Sequence, residues 1–306
     1  MTSERPILVT GAHRTGTTWV GKMLAADSRT AYLSEPLNVW HRPGVMQAPV
    51  KDWYTYISLE NEHAYLPALQ TMLDFRYSLG RELLALRSAK DLLRLGRDLG
   101  NFMRGRLLQQ RPLIKDPFAV FSVEWFARRL DCEIVITVRH PAGFASSLKK
   151  LNWPFDFKEM LEQPSLMKDW LEEDRAEMEA MPGQDIIGQA ALLWRMIYGF
   201  LIRIRRSHPE FHFVRHEDLS YNPIHGFRNL YTTLGLEFTP QVEKAILNSS
   251  SSENPVELTK RSVHSVKLDS RANVKNWKKR LNKDELARIR AVTKDTALEY
   301  YPDIEW

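Results

Sequence analysis

The sequence predicts an α/β fold with a central parallel β-sheet flanked by helices on both faces, and three observations carry that expectation. Short apolar runs at 7–10, 31–33, 113–115, 134–138 and 211–214 have the length of buried strands. Stretches of helical spacing alternate with them, the order that builds parallel strands through crossovers. The first run ends in a loop bounded by Gly11 and Gly16, which opens directly into helical spacing over 17–26.

The second run stops at Ser34-Glu35-Pro36, where proline disfavours continuation and leaves Glu35 at a strand end. Residues 41–62 are rich in Pro, Trp, Tyr and His without a clean period, so an irregular excursion is expected. From 64 to 110 the spacing is helical. Leu79, Leu83, Leu86, Leu92, Leu95 and Leu99 are interleaved with Arg81, Arg87, Lys90, Arg94, Arg97, Arg104 and Arg106. This stripe fits a solvated helix face; an anion- or acceptor-binding face is the alternative.

The third strand ends at Asp116-Pro117, a helix is expected over 120–130, and Arg139-His140-Pro141 closes the fourth strand before a helix over 142–151. Residues 152–184 form a second excursion. Helices follow at 186–206, 222–234 (capped by Gly235), 240–247 and 283–294, with a mobile loop over about 249–276. No repeat is visible, so one domain over 1–306 is expected, its insertions at 41–110 and 152–184 forming an acceptor pocket.

Composition sets bounds. With 43% hydrophobic and 26% charged residues, 306 residues can bury a core without staples. A net charge of +5 suits a polyanionic ligand or an ordinary surface and points to no nucleic acid. Cys132 is the single cysteine, which excludes an intramolecular disulfide and Cys-cluster metal sites. The start lacks a charged segment followed by an apolar one, and no run of apolar residues has spanning length. A cytoplasmic protein without a membrane span is therefore expected; the oligomeric state is not legible.

The loop Gly11-Ala12-His13-Arg14-Thr15-Gly16-Thr17-Thr18 has the spacing of a P-loop, whose backbone N–H groups and helix N-terminus cradle an anion. A nucleoside-triphosphate loop would place Lys at position 17. Here that position is Thr17, and the cation sits inside the loop as Arg14. His13 reads as a solvated loop histidine rather than a base. A second anion site is indicated by Arg139 at a buried strand end and Ser147 eight residues on, within the next helix. Two such elements imply a ligand with two separated phosphates. A kinase acting on a nucleotide or small molecule and a non-catalytic nucleotide binder stay open on these residues alone.

Together the motifs resemble the PAPS-dependent sulfotransferase superfamily, PAPS being 3′-phosphoadenosine-5′-phosphosulfate. The run from His13 through Arg14, Thr15, Gly16, Thr17 and Thr18 to Trp19 resembles its 5′-phosphosulfate loop. The span from Arg139 to Ser147 resembles its 3′-phosphate motif. Lys115-Asp116-Pro117-Phe118 is similar to a segment of the glycan and tyrosylprotein enzymes, Glu217-Asp218-Leu219 to a late family segment, and Arg271 with Lys275 to a basic loop over the nucleotide. The lysine of the steroid and phenol enzymes is Arg14 here, and Pro117 stands where their histidine base would be. The resemblance implies PAPS as donor and PAP as product, bound by Arg14 through Trp19, Arg139, Ser147, Arg271 and Lys275. It also implies a small-molecule or carbohydrate acceptor and no required metal. Glu35 is the candidate base; Arg14 and Lys115 would stabilise charge on the leaving oxygen. Asp116 is read chiefly as a helix cap.

Overall fold

The computed structural model describes residues 4–257 and 266–306. Strands β1 (Ile7–Gly11), β2 (Thr30–Ser34), β3 (Arg111–Lys115), β4 (Glu133–Val138) and β5 (His212–Arg215) form a parallel sheet in the order β2-β3-β1-β4-β5. Central β1 is buried throughout and pairs Leu8 with Ile114 on one side and Ile134 on the other. Strands covered on both faces need apolar side chains in both directions, hence the unbroken Ile7-Leu8-Val9. Leu8, Ile114, Ile134 and Ile136 point into the larger core; Ile7, Val9, Leu113 and Val135 point into the smaller.

Helix α1 (Thr17–Leu24) follows β1, and α2 (Leu66–Leu73), α3 (Leu79–Leu84) and α4 (Ala89–Leu107) lie between β2 and β3. Helix α5 (Val123–Leu130) leads to β4. Then come α6 (Pro141–Leu151), the short α7 (Lys158–Leu161), α8 (Pro164–Leu166) and α9 (Arg175–Ala180), and α10 (Ile186–Ser207). After β5 follow α11 (His216–Tyr221), α12 (Pro223–Thr233), α13 (Pro240–Ser250), α14 (Ser270–Val274), α15 (Trp277–Arg280) and α16 (Lys283–Leu298). The smaller core holds α1 and α11 to α13, while α5, α6, α10 and α16 cover the larger.

All five expected strands form. The helical stretch over 64–110 is three helices, because Phe75 turns left-handed (φ 54°) after α2 and Ser88 starts α4 anew by accepting the Asp91 N–H at 3.3 Å. Gly235 takes the left-handed conformation (φ 65°) expected of a cap. Within the expected mobile loop, 258–265 lies outside the described residues, but α13 runs on to Ser250 and α14 forms where no periodicity was legible. Asp269 caps α14, accepting the Ala272 N–H at 3.0 Å. Helix α10 alone, among the described residues, is long and apolar enough to cross a membrane. Of its apolar stretch 72% is buried in the fold, so that apolarity is core packing.

The chain leaves β1 toward β2 and leaves β4 toward β5, on opposite sides of the sheet. Loops parting at neighbouring strand ends leave a crevice, where open α/β sheets take ligands.

Candidate active site

A cavity of about 730 Å³ occupies that crevice, with His13, Arg14 and Gly16 to Trp19 on one wall. The loop is held from beneath. The Thr15 hydroxyl donates to Ala12 O and shares a 2.8 Å hydrogen bond with Thr137 of β4. Thr15 N–H bonds Ala12 O at 3.3 Å, so the amide expected to cradle an anion closes the loop instead. The N-terminus of α1, from Thr17 onward, borders the cavity. Gly16 has φ 98°, and a side chain there would meet His216 Nδ1 at 2.8 Å, so no other residue fits without strain. The indole N–H of Trp19 donates to Ser249 Oγ at 2.9 Å and ties α1 to α13.

Arg14 and Arg139 meet across the crevice. Arg139 Nη1 donates to Arg14 O at 3.0 Å and Nη2 to Asn273 Oδ1 at 3.3 Å. Its side chain lies over Gly143 in the first turn of α6, where a Cβ would come within 3.2 Å of Nε. Ser147 lines the cavity but accepts from Arg14 Nε at 3.3 Å, so it joins the two expected anion elements rather than serving Arg139 alone. Burial first, and the Arg139 charge second, pull Arg14 down to about 10. Burial likewise lowers Arg139, and Arg280 adds to the effect. His13 and His216 are pulled to about 3, chiefly by burial and then by Arg14 and Arg139 respectively, and both stay neutral. His13 is therefore not the solvated histidine expected: its Nδ1 hydrogen-bonds the buried Tyr54 hydroxyl, and Phe118 stacks on its ring.

Glu35 lines the cavity, as its place after β2 predicts. Its N–H donates to Lys115 O at 2.8 Å and its φ is 50°, so the strand end turns sharply and presents the carboxylate. Lys115 Nζ pairs with Oε1, and Asn38 Nδ2 donates to Oε2 at 2.7 Å. Lys115 thus pairs with the carboxylate that follows the neighbouring strand. Asp116 is a cap, accepting from Leu37 N at 2.6 Å and Phe118 N at 2.9 Å. Burial, then Glu35, push its pKa to about 7. Glu217 accepts from His140 N at 3.0 Å and from the Tyr301 hydroxyl at 2.8 Å, a structural tie beneath β4.

Arg271 and Lys275 are exposed and do not line the cavity. Arg271 donates to Tyr221 O at 3.0 and 2.7 Å, closing the end of α11. The same segment instead supplies Asn273 and Arg280, both on the cavity wall with Lys150, which sequence reasoning missed. Arg280 and Lys150 share the Glu257 carboxylate, and their hydrogen bonds, Lys150 first, hold it at about 2. The basic run Lys278-Lys279-Arg280 was the available signal. Trp40, Trp53, Phe118 and Trp153 also line the cavity, with Asp156 and Glu159, and the Arg14 guanidinium lies 5.7 Å over the Trp153 ring. The expected pocket insertions thus contribute Trp53, Tyr54 and 153–156 with Glu159, whereas Tyr56 bonds Asp169 and Trp170 instead.

The Sulfotransferase family model matches residues 6–240. Among solved structures, the sulfotransferase domain from the curacin biosynthetic pathway aligns with 98% of this chain and 99% of its own at a TM-score of 0.51 and 14% identity, a likeness of fold. Sulfotransferase STF9 from Mycobacterium avium aligns with 97% and 77% (TM-score 0.47, 15% identity). STF1 from Mycobacterium tuberculosis H37Rv aligns with 88% and 77% (0.42, 20%). A search of curated proteins gives no match. The family match takes in all five strands and the loops that carry Arg14, Glu35 and Arg139; sulfotransferase activity in general follows, and the chain belongs to the sulfotransferase family.

Proposed function

We propose that this protein moves a sulfuryl group from PAPS to a hydroxyl or amine of a small-molecule or carbohydrate acceptor, with Glu35 as general base. The observation that carries the reading is the gathering of Arg14, Arg139, Arg280 and the N-terminus of α1 around one cavity that also holds Glu35. Burial first and the neighbouring cations second depress Arg14 and Arg139, and a bound polyanion would offset both. His216 Nδ1 is buried without a hydrogen-bond partner among the described residues, a further polar group a ligand can satisfy.

When bound, the donor supplies an electrophilic sulfur and a phosphate leaving group. The first-turn amides of α1 and Arg14 take the phosphosulfate end, and Arg139, Ser147 and Arg280 serve the second phosphate. Glu35 accepts the acceptor's proton as the new bond to sulfur forms and the bond from sulfur to the phosphate oxygen breaks. Arg14 and the α1 terminus meet the charge left on that oxygen. Lys115 and Asn38 position the Glu35 carboxylate.

The test is incubation with labelled PAPS and a panel of hydroxyl and amine acceptors, with and without a chelator, beside PAP titration. Transfer of label that survives the chelator is expected. Glu35→Gln should keep PAP affinity and lose about 100-fold or more in kcat. An unchanged rate rejects Glu35 as base. Failure of the wild type to bind PAP, or magnesium-dependent consumption of ATP, rejects the donor.

A further inference from the structure

The helices between β2 and β3 leave a basic and apolar face in solvent. The cavity lining passes from Tyr54 to Pro117 without a residue of α2, α3 or α4, so this face has no part in the site. Eight of the sixteen exposed large apolar side chains among the described residues fall in this one stretch. They are Leu79, Leu83, Leu84, Leu92, Leu93, Met103, Leu107 and Leu108. Leu84 is 90% exposed, and Leu93 and Leu107 are each 77% exposed.

Helix α4 turns Leu95, Phe102 and Gly105 inward, where Gly105 meets the Phe75 ring. At 3.6 residues per turn, its exposed Leu92, Leu93, Met103 and Leu107 share an outward arc of about 100°. Gly96 and Gly100 lie in the same arc, and a Cβ on either would touch nothing. Lys90, Arg97 and Arg104 border the arc on one side and Arg106 on the other. Among the described residues, the side chains of Arg87, Lys90, Arg104 and Arg106 make no ion pair with a carboxylate. The acids of the stretch are turned away or paired. Glu82 is buried against Arg42, Asp91 donates none of its charge outward because Arg42 Nη1 holds it at 3.0 Å, and Asp98 is covered and paired with Arg97 at 2.8 Å. The outward face is thus apolar along its middle and cationic along its borders.

We infer that α3 and α4 dock this protein peripherally on an anionic lipid surface. A convex arc of leucines seats in the boundary between headgroups and acyl chains, while long basic side chains on its borders reach the phosphates. The charge complementarity decides among occupants: a second copy would set the same row of arginines against itself.

The full chain is sedimented with vesicles of phosphatidylcholine alone and of phosphatidylcholine mixed with phosphatidylglycerol, whose negative surface potential attracts basic side chains. Binding to the anionic vesicles is expected, with little to the neutral ones, and it should fall as salt shortens the range of attraction. Arg104→Gln and Arg106→Gln should each lower the partition coefficient about fivefold. The pair Leu93→Glu and Leu107→Glu, at solvent-facing positions, should abolish it while the thermal melt and PAP binding stay as in the wild type. Absence of binding to anionic vesicles overturns the inference. So does binding that the Leu93 and Leu107 substitutions leave intact. A lipid-free dimer that those substitutions dissociate would assign the face to a second copy instead.

Discussion

The Thr15 hydroxyl faces away from the cavity, onto Ala12 O and the Thr137 hydroxyl, whose single proton is divided between Thr15 Oγ1 and Thr10 O at 3.2 Å. Tyr198 of α10 completes the chain by donating to Thr137 O at 2.9 Å. Each buried hydrogen bond contributes about 0.5–1.5 kcal/mol net. Thr15→Val removes two buried hydrogen bonds, leaving Ala12 O with the Thr15 N–H alone and the Thr137 hydroxyl with Thr10 O alone. It should lower stability by about 1–3 kcal/mol, and Thr15→Ser should recover most of the loss. Urea midpoints of the three proteins check this; equal midpoints would show that the loop stands without its buried tie. Arg139 poses a different residue-scale problem, since its fork serves two acceptors from two segments, Arg14 O and Asn273 Oδ1. A lysine has one terminal nitrogen where the fork offers two separated ones, so it does not reproduce this two-point geometry. Arg139→Lys should therefore weaken PAP binding about tenfold, read by calorimetric titration, whereas Glu35→Gln should leave it alone.

Among the elements, α14 and α16 show what a linear sequence does and does not announce. Helix α16 starts with a capping box, Asn282 Oδ1 accepting from Glu285 N at 2.8 Å and Glu285 Oε2 from Asn282 N at 2.9 Å. That signal is local, and the helix was legible. Asn282→Ala should cost about 1 kcal/mol, measurable as a lower urea midpoint; no change would mean that packing on α6 and α10 alone carries α16. Helix α14 is five residues long and depends on tertiary partners, Ser270 Oγ donating to Ser220 O at 2.9 Å and Asn273 meeting Arg139. Elements this short carry no period that reveals which basic side chain borders the cavity, so Arg271 and Lys275 were expected there and Arg280 was not. The strands, the glycine loop and the Arg139–Ser147 spacing were readable because strand length, left-handed glycine and the helix following Pro141 are near-neighbour properties. The pairing of Lys115 with Glu35 was harder to read for the opposite reason: Glu35 follows another strand, and only the parallel register that sets Ser34 beside Lys115 brings them together.

At the scale of the whole molecule, the crowding of cations at the strand ends has a consequence for acid stability. His13, His140 and His216 are buried there and held near 3 from an ordinary 6.5, by burial first and then by neighbouring arginines and a lysine. Each stays neutral in the folded chain, while the unfolded chain takes up a proton below about 6.5. Their contribution is therefore fully present above 6.5 and is lost as pH falls toward 3. Asp116, raised to about 7, acts in the opposite sense, its contribution fading as pH rises from 3.8 through 7. A comparison of slopes between wild type and one variant removes that opposing part. His140 caps α6 by accepting the Ala142 N–H at 3.3 Å and stacks at 5.3 Å on Trp277. Asparagine keeps a capping oxygen and cannot titrate. Between about pH 6 and 4, His140→Asn should make the fall of unfolding free energy with pH shallower by about 1.4 kcal/mol per unit. Urea unfolding at several pH values in that range measures both slopes. Parallel slopes would mean that His140 takes its proton within the folded protein, and that burial and the strand-end cations together do not hold it neutral.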